Sequence, residues 1–215
     1  MNDSYAKPFR QAIAVTGGIG SGKSRVARWL AGECNFSLFD ADEEVRLLLD
    51  PGEQGWSHLR AWLSPDYFGD DDCLLKAKLR RAIFDDDTLR HLVEQDLHPL
   101  VLSNIQAKMA GSARPCLVEV PLLFEAQWQT YFDGVLVVYA PEAVCLDRVI
   151  ARDGISEDQA MSAIRAQMPI IQKARLADYI VDNSGDWAST QQQLEETKSM
   201  LSHKYPEKKL DSHGG

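Results

Sequence analysis

An α/β fold on a parallel sheet, interrupted by an all-helical insertion, is predicted by three features of this sequence. Apolar runs of strand length alternate with stretches of helical periodicity. Residues 116–120 (CLVEV) and 134–139 (GVLVVY) are apolar almost throughout, as in parallel strands covered on both faces. Over residues 51–112 the pattern changes to helical repeats separated by acidic turns, with no strand signal. The 215 residues suit one large domain, or one domain with an insertion, of radius about 17 Å.

Residues 12–16 (AIAVT) form a β-rich run that ends in glycines, and 24–31 then carries Val26, Ala27, Leu30 and Ala31 at helical spacing. Strand, glycine turn and helix therefore follow one another directly. Residues 36–39 read as a second strand ending at Asp40. In the insertion, amphipathic patterns centre on 59–63, 76–84, 89–97 and 100–109, separated by the acidic turns 70–72 and 85–87. Pro99 is expected to start the last of these helices, with His98 as its cap-side neighbour. After the strands at 116–120 and 134–139, Pro141 opens a helix, and 148–175 is rich in Arg, Asp and Gln. Residues 179–181 are the last strand and 185–202 the last helix. Residues 1–11 and 206–215 are expected to be disordered tails.

Composition narrows the function. Hydrophobic residues at 45% and charged residues at 26% exclude a fibrous or wholly disordered chain. The net charge of −9, from 32 acidic and 23 basic residues, argues against a general nucleic-acid surface, so any polyanion site must be local. No apolar run reaches the roughly 18 residues of a membrane helix, and the polar start MNDSYAKPFRQ lacks a signal-peptide core. Cys34, Cys73, Cys116 and Cys145 form no CxxC pair, and the five histidines show no HExxH spacing. These features read as reduced thiols in a cytoplasmic protein, with no metal site of those kinds.

Residues 17–24, Gly17-Gly18-Ile19-Gly20-Ser21-Gly22-Lys23-Ser24, fit the pattern GxxxxGK(S/T). Glycines let the backbone curl so that successive N–H groups point inward at phosphate oxygens. The following helix adds its positive end. Lys23 would reach the β- and γ-phosphates, and the Ser24 hydroxyl would ligate Mg²⁺. A chance match in a chain of this length is about one in a hundred, and the flanking strand and helix are what the mechanism needs. The alternative is a glycine-rich turn with a solvated lysine. The motif specifies a nucleoside triphosphate and nothing finer. An NKxD base-reading tetrapeptide of GTPases is absent.

Ligands of such sheets lie beyond the carboxyl ends of the strands, where Phe39-Asp40-Ala41-Asp42 ends the second strand. A carboxylate there can accept a proton from an attacking hydroxyl, or hold Mg²⁺ through water. Asp40 followed by Glu43 has the form of a capping box, so Asp40 is as well read as a cap. Asp42, inside the first turn, is not required for capping, which favours function. Glu119 is the one acid on an apolar strand and needs a partner; a Mg²⁺ role and a structural pairing both fit. Arg148 and Arg152 share a helix face and suit phosphoryl transfer, or a solvated face paired with Asp147 and Asp153. A lone His98 is more commonly structural.

TGGIGSGKS, FDADEEVR, LHPLV, VPLLFE, RVIARDGISED, AQMP and ADYIVDNSG occur in this order. Together, over about residues 13–201, the sequence resembles the dephospho-CoA kinase family of coenzyme A biosynthesis. The resemblance implies a P-loop kinase core over 12–50 and 113–205, a helical CoA-substrate insertion over 51–112, and a mobile lid over about 148–168. It implies ATP-dependent phosphorylation of the ribose 3′-hydroxyl of dephospho-CoA, giving coenzyme A and ADP. Asp42 would be the general base, with Lys23 and Arg148 on the transferring phosphate. ATP would be bound by the loop from Gly18, Ile19, Gly20, Ser21 and Gly22 to Lys23 and Ser24, with Arg25, Arg148 and Asn183. Asp40, Arg80, His98, Pro99 and Leu122 would lie at the acceptor. Mg²⁺ would rest on Ser24, with Glu119 acting through water. The expected partners are ATP and dephospho-CoA, with neither nucleic acid nor membrane, in a monomer or weak homo-oligomer.

The sequence departs from the family pattern in places. Arg25 stands where the family usually has Thr, and Ala163 where many members carry an arginine, with Arg165 nearby. Two other readings compete: another small-molecule or nucleoside-monophosphate kinase, and a P-loop switch without catalysis. The long helical insertion opposes the first, and the carboxylates after the second strand oppose the second.

Overall fold

The computed structural model describes residues 9–206. Strand β1, Ala12–Gly17, is buried at every position, which its unbroken run of apolar and small residues allows. Helix α1 follows at Lys23–Glu33, then β2 at Ser37–Asp40 and α2 at Ala41–Leu48. The helices α3 (Gln54–Trp62), α4 (Lys76–Asp85) and α5 (Asp87–Ala110) come next. The chain then returns to strand with β3 (Cys116–Glu119) and β4 (Gly134–Tyr139). It finishes with α6 (Glu142–Asp153), α7 (Glu157–Arg165), α8 (Ile170–Arg175), β5 (Tyr179–Asp182) and α9 (Trp187–Lys204).

The five strands lie in the order β2-β3-β1-β4-β5. Strand β1 runs parallel to β3 and β4, and β4 parallel to β5. The chain leaves the central β1 for one edge, returns beside it as β3, and continues on its other side. That reversal of direction opens a crevice at the carboxyl end of β1, where α/β sheets bind ligands.

The described chain falls into two compact units. One is Asp40–Gly111; the other is built from the described residues on both sides of it. In the sheet unit, Ile13, Val15, Leu117, Leu136 and Val138 pack with Val26 and Leu30 of α1 and with Leu194 and Leu201 of α9. In the helical unit, Leu59, Leu63, Leu79, Val93 and Leu97 form a separate core. The unit begins eleven positions ahead of the composition change at Pro51 (51 minus 40), because α2 belongs with the helices.

The helix break expected at Pro99 does not occur. Pro99 lies inside the 24-residue α5, although it leaves the Gln95 carbonyl without its helical donor. Val93, Leu97, Val101, Ile105 and Met109 are buried at every fourth position on both sides of it, and this continuous apolar stripe holds the helix together. His98 is therefore a mid-helix residue and not a cap neighbour.

The expected N-terminal tail is also shorter than read. Phe9 is buried, its N–H donates to the Tyr131 carbonyl at 3.1 Å, and its ring lies 4.9 Å from that of Phe132. The rest of both expected tails, 1–8 and 207–215, lies outside the described residues. All four cysteines are free, as expected. No helix among the described residues is long and apolar enough to cross a membrane.

Candidate active site

At three positions of the turn that closes β1, only glycine fits. A Cβ on Gly17 would lie 2.6 Å from both the Val138 carbonyl oxygen and Ser21 Oγ. Gly20 and Gly22 adopt φ of +79° and +85°, a region costly for other residues. Helix α1 then starts at Lys23 with no side-chain cap and no acid in its first turn. Lys23 and Arg25 occupy that turn instead, where the helix dipole favours negative charge. An anion at this end would satisfy both the free amides and the dipole.

Val15 is in register with Glu119, so β3 delivers its one acid to the carboxyl end of the sheet beside this turn. Ser24 Oγ donates to Glu119 Oε1 at 2.5 Å, and Lys23 Nζ lies 3.9 Å from the same oxygen. Lys23 and Glu119 side chains are only 16% and 7% exposed, so their attraction is less screened than at the surface. A hydroxyl beside a carboxylate is an all-oxygen donor pair, which suits a hard divalent cation. Among the described residues no cluster of three His, Cys, Asp or Glu is placed to hold a metal. Mg²⁺ fits this sparse set, because it takes few protein ligands and completes its shell with water and phosphate.

Arg148, on α6, turns toward the loop. Its Nη2 donates to the Asn183 carbonyl at 2.9 Å and its Nη1 to the Gly20 carbonyl at 3.5 Å. The Asn183 side chain is occupied by the fold: Nδ2 donates to the Ser21 carbonyl at 2.7 Å, and Oδ1 accepts from Thr190 Oγ1 at 3.0 Å. Asn183 thus braces the loop from β5. Arg152 does not join Arg148; it pairs twice with its neighbour Asp153, at 2.7 Å each. The Arg25 guanidinium stacks over Trp187, 3.7 Å from the ring centroid.

A cavity of about 310 Å³ adjoins the loop. Gly18 and Ile19 line one side, and Arg165, Gln167 and Met168 another. Ile19 N–H donates to Gln167 Oε1 at 2.8 Å. The turn after β3 places Leu122 at 46% exposure, while Leu123 and Phe124 are buried. Sequence reasoning missed Trp187, Gln167, Glu125 and Lys173 as individuals. Gln167 and Glu125 fall in the AQMP and VPLLFE segments, which gave a signal for the segment but not for the side chain.

In the helical unit, Asp40 caps α2, its Oδ1 accepting from the Asp42 N–H at 2.9 Å. The reciprocal half of a capping box is missing, since Glu43 pairs with Arg46. Asp42 and Arg80 line the same cavity, of about 460 Å³. Arg46 and Lys76 complete its polar rim over an apolar floor that includes Leu49, Leu74, Leu79 and Leu97. Three cations and one carboxylate around an apolar pocket suit an anionic ligand with a hydrophobic body. His98 and Pro99 are not among its lining residues. Burial pushes the His98 imidazole below its ordinary pKa, with Glu94 opposing that shift.

Known proteins match this arrangement. A family model described as dephospho-CoA kinase matches residues 11–189. The dephospho-CoA kinase of Carboxydothermus hydrogenoformans is 37% identical over 186 residues, 85% of this chain and 90% of that protein. A crystal structure from Thermus thermophilus superposes with a TM-score of 0.76 at 29% identity, covering 88% of this chain and 97% of that one. The dephospho-CoA kinase of Campylobacter jejuni shares the fold, with a TM-score of 0.65 at 24% identity over 90% of this chain and 98% of its own.

Proposed function

The chain belongs to the dephospho-CoA kinase family, whose members use ATP to phosphorylate dephospho-CoA in the last step of coenzyme A synthesis, and from that premise we propose how its residues divide the work. The observation that carries the assignment is the convergence of Lys23, Ser24 and Glu119 at the glycine turn, within 3.9 Å of one carboxylate oxygen.

The loop amides and the start of α1 hold the phosphates of ATP. Lys23 and Arg148 meet the charge that spreads over the transferring group. Asn183 contributes by fixing the loop and by orienting Arg148 through its carbonyl. Ser24 and Glu119 would hold Mg²⁺, which when bound neutralises phosphate charge. The acceptor is bound in the helical unit, with Arg80, Arg46 and Lys76 on its anionic groups and the apolar floor under its body.

In the reaction, the ribose 3′-oxygen forms a bond to the γ-phosphorus. The bond from that phosphorus to the β–γ bridging oxygen breaks, and ADP leaves with the electron pair. Asp42 accepts the hydroxyl proton. Asp40 serves by capping the helix that carries Asp42.

An acceptor-dependent ADP-release assay tests this reading. Dephospho-CoA should stimulate ADP release well above AMP or adenosine, since remote binding energy aligns the reacting hydroxyl. Equal kcat/KM on adenosine or AMP would make it a different kinase, and no stimulation by any small acceptor would make it a switch.

A further inference from the structure

Lys173, on α8, is 0% exposed and carries a charge that the mechanism above does not use. Its Nζ donates to the Pro121 carbonyl at 3.0 Å and pairs with Glu125 Oε1 at 2.9 Å. Each of those acceptors is shared. The Pro121 carbonyl also accepts from Thr16 Oγ1 at 3.2 Å, and Glu125 Oε1 also accepts from the Met168 N–H at 2.8 Å. One residue before Met168, Gln167 Oε1 accepts from the Ile19 N–H at 2.8 Å. The contacts close a circuit. It holds Thr16, immediately before the glycine turn, and Ile19, inside it, to one buried ammonium group.

Stability alone does not account for this arrangement. A buried ion pair gains little over well-packed apolar side chains of similar volume, and replacing one with such side chains is often neutral or stabilising. The circuit does meet a need of the loop. Phosphate binding depends on amides aimed in concert, and a misplacement of about 1 Å at a reacting centre can cost 10²-fold in rate. Both ends of the 16–19 limb are fixed by groups more than a hundred positions away in sequence, the Pro121 backbone carbonyl at Thr16 and the Gln167 side chain at Ile19.

We propose that Lys173, Glu125 and Gln167 are positioning residues that set the phosphate loop for transfer, Lys173 acting through Glu125 and Glu125 through the Met168–Gln167 backbone. This role rests on the kinase reading above.

The test compares wild type, Gln167→Ala, the apolar pair Lys173→Met with Glu125→Leu, and the triple variant. Turnover, KM, melting temperature and amide exchange at Ile19 are measured for each. The apolar pair should melt close to wild type yet lose about 10- to 100-fold in kcat, with KM for dephospho-CoA little changed. Gln167→Ala should lose a similar factor, and the triple variant no more than either, because all act through one contact. Wild-type kcat in the apolar pair, or losses that multiply in the triple variant, would overturn the proposal. If the apolar pair melts early, Glu125→Gln replaces it and its coupling to Gln167→Ala decides by the same rule. Exchange at Ile19 in the free protein needs no turnover, and it should quicken in Gln167→Ala and in the apolar pair. Unchanged exchange in the apolar pair refutes the relay whatever the kinase assay gives, whereas quickened exchange without dephospho-CoA turnover in wild type would fault the kinase reading and keep the relay.

Discussion

The helices that follow the first two strands begin in opposite ways. Helix α1 starts from Gly22 with no side-chain cap, no acid in its first turn, and Lys23 and Arg25 there instead. Helix α2 starts from Asp40, whose carboxylate caps it, and continues with Asp42, Glu43 and Glu44. The helix dipole favours the second arrangement, so α2 is satisfied by its own residues and α1 is not. One start is organised to receive an anion and the other to present carboxylates.

The contrast extends to what surrounds each start. The glycine turn is braced by buried or half-buried polar groups: Asn183 on Ser21, Glu119 on Ser24, Gln167 on Ile19. The cavity of the helical unit has exposed Arg46 and Arg80 on its rim, over an apolar floor. Buried polar bracing favours precise charge placement, and exposed rim cations favour binding. Substitutions should therefore act mainly on kcat in the sheet unit and mainly on KM at the cavity rim, with Asp42 the exception.

The largest expected effect tests that exception. Asp42→Asn keeps size and an acceptor oxygen but loses the basicity, and kcat should fall by roughly 10² to 10⁴ with ATP affinity nearly kept. Asp40→Asn should be far milder, because Asn caps nearly as well as Asp. If steady-state kinetics find Asp40→Asn the more damaging, the two carboxylates have exchanged roles.

Lys23→Ala comes next. Removing a preorganised charge from the phosphates should lower kcat by about 10² to 10³, with the circular dichroism of the fold unchanged. Near-normal turnover would mean that Arg148 alone meets the transferring group, and the bracing argument for the sheet unit would fail.

Arg80→Ala should be smaller and of a different kind. Loss of one charge-assisted contact, worth about 1.5–3 kcal/mol, should raise KM for dephospho-CoA by roughly 10- to 100-fold and leave kcat near wild type. A fall in kcat at constant KM would place Arg80 at the reacting centre instead of the rim.

Much of the sheet unit was legible because its signals are local. The glycine turn, the apolar strands and the single acid on β3 each announce themselves within a few residues. What was not legible depends on partners distant in the chain. Gln167 meets Ile19 across 148 positions and Asn183 meets Ser21 across 162, and no periodicity records such pairings. Pro99 shows the opposite failure. A strong local rule predicted a break, and the apolar stripe from Val93 to Met109 overrode it. Asp42 was legible as a candidate because its neighbour Asp40 already accounts for the cap. The apolar floor beneath Asp42 and Arg80, which brings together Leu49, Leu74, Leu79 and Leu97, was not.

The smallest expected effect concerns His98, which the family resemblance puts at the acceptor and the structure puts on α5 outside the lining of the cavity. Burial holds its imidazole below the ordinary value, so near and below pH 6.5 the unfolded chain binds a proton that the native protein resists. The stability that neutral His98 contributes is fully present above that ordinary value and is lost as pH falls toward the folded one. Wild type should therefore lose more of its urea midpoint between pH 7.5 and 5.5 than His98→Gln, in which this titration is gone and the carboxylates of both proteins titrate alike. KM for dephospho-CoA at pH 7.5 should be the same in both, as befits a helix-packing residue. Equal losses of midpoint, together with a raised KM in the variant, would mean that His98 protonates freely in the native state and reaches the acceptor. The helical unit would then bind its ligand with a polar side chain of α5 as well as with the cavity rim and its apolar floor.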